Sequence, residues 1–456
     1  MNATKIVNHP LFFVLFHVGV GLLATAFRPA MIVYFLFVVA YFLYRIVLLP
    51  DKQREVLIAA AYMVGAEVFF RMTKAYFFYE TGKYMVILFL VIGMIYQGFK
   101  RTSLTYFIYL LLLFPGVYVS FLETEYDDKF RQNILFNLSG PICLTVAAMY
   151  CYGRTVTLKQ MFTILNFMVY PIISMTIYVY FYNINIQAVI TGTASTSATS
   201  GGFGPNQVAT VLGLGAFILY SRFLIPYKNK LVHLVMMFWL MALSHRAIIT
   251  FSRGGVFVAA AMMGVFAVIL YFLSNVRTKF KLSYRIIAVA GGVLAIWLFS
   301  VLQTGGLIAN RYTNKDALGR EKSDITTGRA KLIDADFQAF TESPLYGIGV
   351  GRAKSYYEEN LNTRIPSHNE VSRMLSEHGS FGIIALLILL LAPLISKMNG
   401  RKNIYFFPFI IFWILTIAHS SMRIAAPAFI YGLSLLNINY GKKENTVHRK
   451  QIGTEG

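Results

Sequence analysis

Residues 254–274 read GGVFVAAAMMGVFAVILYFLS, a stretch without a single charge, entered by Arg253 and left through Asn275-Val276-Arg277-Thr278-Lys279. At about 1.5 Å of helix rise per residue, such a run covers about 30 Å, the thickness of a bilayer's hydrocarbon core. It has no polar face, so it is not the amphipathic helix of a soluble domain. Working outward, comparable runs lie near 10–27, 29–49, 56–72, 83–99, 103–122, 132–151 and 161–182. Others lie near 206–225, 230–245, 284–303, 380–396, 404–419 and 423–440. That gives fourteen spans, or twelve without the more polar third and ninth. The runs are continuous rather than alternating, which specifies helices and not a barrel.

Composition agrees. Of 456 residues, 57% are hydrophobic and 13% charged, against about 25% charged in a soluble protein. Mean hydropathy is +0.60. A soluble enzyme and a disordered chain are both excluded. The expected fold is an all-α polytopic membrane protein of about 12–14 transmembrane helices, with one large extracytoplasmic loop carrying short helices. The expected divisions are an N-terminal bundle of about eleven spans (1–303), the loop (304–379), C-terminal membrane helices (380–440) and a basic cytoplasmic tail (441–456). Residues 10–27 lack a small-residue cleavage site and lead straight into another span, so they read as a retained helix. Cys143 and Cys151 stand about 12 Å apart on one helix, beyond disulfide reach.

Net charge is +21, from 41 Lys and Arg against 20 Asp and Glu. In a soluble protein this would suggest nucleic acid; here the basic residues cluster in short loops and report orientation. With a cytoplasmic N-terminus, the inner segments hold 22 Lys and Arg and the short outer loops 9. Both termini are therefore expected in the cytoplasm. The remaining 10 basic residues, with 10 of the acidic ones, fall in 304–379, on the outer face. A loop this long is usually functional.

Three pieces of that loop stand out. Thr326-Thr327-Gly328-Arg329 precedes Ala330, Ile333, Phe337 and Phe340, whose spacing predicts an amphipathic helix with Arg329 in its first turn. Residues 343–352, SPLYGIGVGR, form a glycine-rich turn that no strand–helix unit frames as a nucleotide loop. In Pro366-Ser367-His368-Asn369-Glu370, the Ser367–Glu370 spacing predicts a capping box, with His368 at the first helical position and Gly379 closing the helix. The helix terminus would keep that imidazole neutral and could hold a phosphate. Asp334-Ala335-Asp336 resembles a metal motif, but i and i+2 point about 200° apart on a helix, so no metal site is expected. No zinc cluster or serine elbow appears. Glu67, Arg71 and Lys74 share one face of the third span and either neutralise one another or serve a substrate.

Taken in order, Thr327-Gly328-Arg329, the 343–351 turn, Ser367–Glu370 and Glu377-His378-Gly379-Ser380-Phe381-Gly382 resemble the conserved loop of the O-antigen ligase and O-antigen polymerase superfamily. Upstream, Phe251-Ser252-Arg253-Gly254-Gly255 and Gly202-Phe203-Gly204-Pro205-Asn206 resemble two further segments of that family, so the similarity covers about 205–382. The resemblance implies an inner-membrane glycosyltransferase of lipopolysaccharide biosynthesis. Such an enzyme moves a glycan from undecaprenyl pyrophosphate to lipid A–core (ligase) or to another carrier-linked repeat (polysaccharide polymerase), on the periplasmic face. It implies His368 as the catalytic residue and Arg253 and Arg329 as substrate-binding residues; Arg352 and Arg364 are secondary candidates for substrate binding, and no cofactor is expected. The chemistry is coherent. An arginine fork can stabilise a departing pyrophosphate without a metal, and His368 can take the acceptor's proton; single displacement would invert the anomeric centre. By residue type alone, Arg253 is also a plausible interfacial anchor and Arg329 a solvated first-turn residue. A secondary transporter is the rival class, but it should show paired broken helices or internal repeats, and the polar residues here concentrate in one loop.

Overall fold

The computed structural model describes residues 9–123, 128–190, 192–225, 229–324, 326, 328–363, 365 and 367–441. The chain is helical nearly throughout. It runs α1 (Pro10–Ala26), α2 (Ala30–Leu48), α3 (Lys52–Met72), α4 (Thr81–Gln97), α5 (Leu104–Leu111), α6 (Phe114–Glu123), α7 (Asp128–Cys151), α8 (Leu158–Tyr182) and α9 (Pro205–Leu224). Then follow α10 (Lys230–Ile249), α11 (Arg253–Leu273), α12 (Val276–Gln303), α13 (Leu307–Tyr312), α14 (Arg329–Glu342), α15 (Ala353–Leu361), α16 (Glu370–Met398), α17 (Phe406–Ser420) and α18 (Ala425–Ser434). A parallel pair, β1 (Thr155–Thr157) and β2 (Asn437–Asn439), ties Thr155 to Asn437. Among the described residues, nine helical segments are long and apolar enough to cross a membrane, and four shorter apolar helices accompany them. This is an all-α polytopic membrane protein.

Two helices form the centre. α3 packs against α8, α4 and α2, while α9 packs among α10, α11 and α8. Every residue of α3 from Glu55 to Met72 is buried, and so is every residue of α9 from Gln207 to Leu224. A helix enclosed by protein on all sides can carry charge, which is why α3 reads as the more polar third span. Glu67 and Arg71 pair at 2.5 Å. Glu67 Oε2 also accepts from the backbone N–H of Ala425 at 2.6 Å, and Arg71 Nη1 donates to Gln207 Oε1 at 3.1 Å and to the carbonyl of Arg423 at 3.2 Å. The pair neutralises itself and pins the α17–α18 connection to α3. Lys74 lies apart, exposed. At the periphery, α12 leaves most of its apolar side chains uncovered, as a lipid-facing helix does. Both cysteines are free and buried.

Two elements depart from the sequence reading. The fifth span is broken into α5 and α6 around Leu112-Leu113. The helix beginning at Glu370 does not end at Gly379 but continues to Met398, with Gly379 as a break inside it at φ 58. That conformation favours glycine. The break removes helical partners, and the glycine-rich turn supplies them. Ile348 N–H donates to the Ser376 carbonyl at 2.8 Å and Gly349 N–H to that of Glu377 at 3.3 Å, while Ser380 N–H turns to the Pro344 carbonyl at 2.8 Å. The 343–351 segment is therefore a splint across a broken helix rather than a ligand loop.

Candidate active site

α9 and α11 begin at the same end of the bundle, where Ser252 Oγ donates to Asn206 Oδ1 at 2.8 Å. Just before α11 the chain turns sharply at Phe251, whose φ is 58, a conformation costing about 1–2 kcal/mol for a non-glycine residue. Its fully buried ring packs with Ile248 and Ile308, and Arg311 Nε donates to its carbonyl at 3.2 Å. The turn places Arg253 at the first position of α11, with Nη1 3.5 Å from the Arg311 carbonyl. Arg253 and Arg311 thus arrive together from segments far apart in sequence.

Arg329 opens α14 behind Gly328. The Asp324 carboxylate shapes this entry, accepting from Thr326 N–H at 2.7 Å and Gly328 N–H at 2.5 Å, and Thr326 Oγ1 accepts from Ala330 N–H at 3.2 Å. Thr327, Arg364 and Pro366 lie outside the described residues. Two turns along, the buried Asp336 accepts from Tyr357 Oη and Ser372 Oγ, both at 2.5 Å, and from Ser376 Oγ at 2.8 Å. It locks α14 to α15 and to the first turns of α16. Burial raises its pKa despite these three donors. Asp334 is exposed on another face, so the two carboxylates do not chelate together. Helix α14 packs through Leu332, Ala335, Asp336 and Ala339, leaving Phe337 of the apolar stripe exposed.

His368 precedes its helix rather than beginning it. The N-cap of α16 is Asn369, whose Oδ1 accepts from Val371 N–H at 2.9 Å, and Glu370 is the first helical residue. The capping box predicted at Ser367 is displaced because Ser367 Oγ bonds the backbone of Asn369 instead, while Glu370 turns to Arg373 at 2.5 Å. The Nδ1 atom of His368 is buried with no hydrogen-bond partner among the described residues. Burial, then the positive charge of Arg423, Arg329 and His419, pushes its pKa down to about 4. The ring is neutral at pH 7 for those reasons, not through a helix terminus.

Arg253, Arg311, Arg329 and His368 line one cavity of about 910 Å³, together with Asn206, Ser252, Lys331 and Thr363. No carboxylate lines it among the described residues. Burial, then neighbouring arginine charge, lowers the pKa of Arg311 and of Arg329. A concave site with this charge excess is built for a multiply charged anion, and guanidinium forks match phosphate oxygens. Arg352 does not join them: it pairs with Glu123 at 3.1 Å and donates to the Ile348 carbonyl at 3.2 Å.

Sequence reading missed three neighbours. Arg311 counted only as a loop charge. Arg423, between α17 and α18, donates from Nη2 to the Ser367 carbonyl at 2.8 Å and so holds the strand carrying His368. His419 ends α17 with Nδ1 2.7 Å from the Leu415 carbonyl and its ring against Gly254. The available signal was the polar run His419-Ser420-Ser421-Met422-Arg423 interrupting two apolar helices.

Comparison with curated proteins gives no match. A family model described as O-antigen ligase matches residues 236–387, about a third of the chain, from within α10 through the loop and into α16. That stretch contains Arg253, Arg311, Arg329 and His368, and over it the chain is similar to the O-antigen ligase family.

Proposed function

We propose that the protein is an O-antigen ligase-type glycosyltransferase that moves a glycan from undecaprenyl pyrophosphate to a hydroxyl of lipid A–core on the periplasmic side of the inner membrane. The observation that carries this reading is the shared cavity: three arginines and a neutral histidine whose buried Nδ1 has no partner, and no lining carboxylate, among the described residues. The arginines grip the donor's pyrophosphate and take up the charge that develops as it leaves. The acceptor oxygen attacks the anomeric carbon from the opposite face, the bond from that carbon to the phosphate oxygen breaks, and polyprenyl pyrophosphate departs. The acceptor's proton passes to His368, and the anomeric centre inverts. The excess of Lys and Arg in the alternate loops supports a periplasmic cavity.

The same residues would serve a polymerase, in which the acceptor is another carrier-linked repeat. Deleting the gene and following both products separates the two. Loss of lipid A–core attachment with retained carrier-linked polymer is expected; retained attachment with shortened chains would replace ligase by polymerase. Retention of both products would refute the glycosyltransferase reading.

A further inference from the structure

A second cavity, about 690 Å³, lies between α1, α2, α3 and α8, at the opposite end of the bundle from His368. α3 measures the separation: Arg54 in its first turn lines this cavity, whereas Arg71 in its last turn contacts Gln207, next to Asn206 of the active-site cavity. Seventeen residues of helix are about 26 Å. The walls are aromatic. Phe12, Phe16 and Phe37 line the cavity and are also substantially exposed on the bundle's flank, so the groove opens sideways toward lipid. At the inner end, His17 Nε2 bonds Tyr62 Oη at 3.0 Å and Tyr34 Oη bonds Tyr62 Oη at 2.5 Å.

Its other end is cationic. Arg45, Arg54 and Lys159 line the rim. Arg45 is paired with Glu55 at 2.7 Å, but Arg54 and Lys159 have no ion pair among the described residues. The nearby Asp51 is engaged by Gln160 Nε2 at 3.1 Å and by the backbone of Arg54, and neither acid lines the cavity. Descending from the rim, Lys159, Thr163 and Asn166 stand at i, i+4 and i+7 on α8, one polar stripe reaching about 10 Å inward.

We infer that this groove is a binding site for one anionic glycerophospholipid. Its phosphate sits between Arg54 and Lys159, its glycerol backbone lies along Thr163 and Asn166, and an acyl chain lies along the phenylalanines. Charge, polarity and depth match in that order: a cationic rim, a short polar stripe, then an aromatic channel open to hydrocarbon. Basic pockets between membrane helices recognise lipid headgroups by this logic. The site is independent of the glycan-transfer reading.

The test uses full-length protein, delipidated in detergent and titrated with phosphatidylglycerol or phosphatidylcholine of identical chains, with bound lipid counted by native mass spectrometry. One phosphatidylglycerol should be retained in preference to phosphatidylcholine and should resist excess inorganic phosphate. The double variant Arg54→Gln/Lys159→Gln should weaken it about ten- to thirty-fold, at about 1 kcal/mol per basic residue, while Thr163→Trp, which fills the channel, should exclude both lipids. Thermal unfolding of each variant checks its fold, and Thr163→Trp alone decides if the double variant is unstable. Equal retention of the two lipids, undiminished binding in a folded double variant or in Thr163→Trp, or displacement by phosphate would overturn the assignment.

Discussion

Replacing Gly254 by alanine should slow transfer by about a hundredfold without unfolding the protein. A Cβ built on Gly254 would lie 2.4 Å from Cδ2 and 2.8 Å from Nε2 of His419. Carbon pairs normally sit about 3.5–4.0 Å apart, so one partner must retreat by more than about 1 Å. α11 has little room to retreat, because a Cβ on the adjacent Gly255 would already lie 2.6 Å from Ala209 Cβ on α9. The imidazole must therefore move, against its hydrogen bond to the Leu415 carbonyl at 2.7 Å. Overpacking of this kind costs about 1–3 kcal/mol. Because Gly254 itself lines the cavity beside Arg253, the displacement falls on the wall of the candidate site, where about 1 Å of misplacement costs about 10² in rate. Single-turnover transfer by purified protein, with thermal unfolding alongside, makes the measurement. Gly264→Ala is the control on the same helix, since nothing lies within 4 Å of a Cβ there. A Gly254→Ala protein that transfers at the wild-type rate would refute the claim that His419 packs against the working site.

His368→Ala should lower turnover by about 10²–10⁴ with donor affinity little changed, whereas Arg329→Lys, which loses the planar fork, should weaken donor binding as well as rate; lipid-donor binding and single-turnover assays separate them. On the proposed mechanism the deprotonated ring is the base, so activity should fall as pH drops through the His368 pKa. The acid limb of kcat/KM, which reports free enzyme, should lie near 4, and a limb at 6.5 would contradict the arrangement of cations around the ring. Transfer should survive EDTA, since charge on the leaving group is assigned to arginines; loss of activity with rescue by Mg²⁺ or Mn²⁺ would displace them.

Much of the fold was legible because a membrane span writes itself into composition: each of the fourteen apolar runs contains helix, including the charged third one. What sequence could not show was the reason α3 tolerates charge, since the partners of Glu67 and Arg71 lie at Ala425, Arg423 and Gln207, far along the chain. The site divides in the same way. Arg253, Arg329 and His368 sit in short motifs and were readable, although the local rule for His368 failed by two residues because Ser367 and Glu370 had better partners nearby. Arg311 belongs to no local pattern, and the polar run holding His419 and Arg423 does not say what those side chains meet. They enter through the turn at Phe251, the narrowness of Gly254 and the carbonyl of Ser367, none of which has a signature in one dimension. Arg352 shows the converse case, a motif residue that lies outside the cavity lining and pairs with Glu123.

The electrostatics of the cavity bear on the order of events. Without donor, the arginines around His368 oppose any added positive charge, so the ring is a poor base and a hydroxyl arriving alone is not activated. A bound pyrophosphate brings negative charge into the same low-dielectric space. It offsets the guanidinium groups and so raises the proton affinity of the ring beside them. On the proposed reading, the group that leaves is thus also the group that makes the base competent. The arginines then serve two ends with one arrangement: they hold the leaving group, and they keep the histidine inactive until it is there. A lysine in place of Arg329 would preserve the second effect while impairing the first. The kcat acid limb, which reports the donor-bound enzyme, should accordingly lie above that of kcat/KM in the native protein and in Arg329→Lys alike.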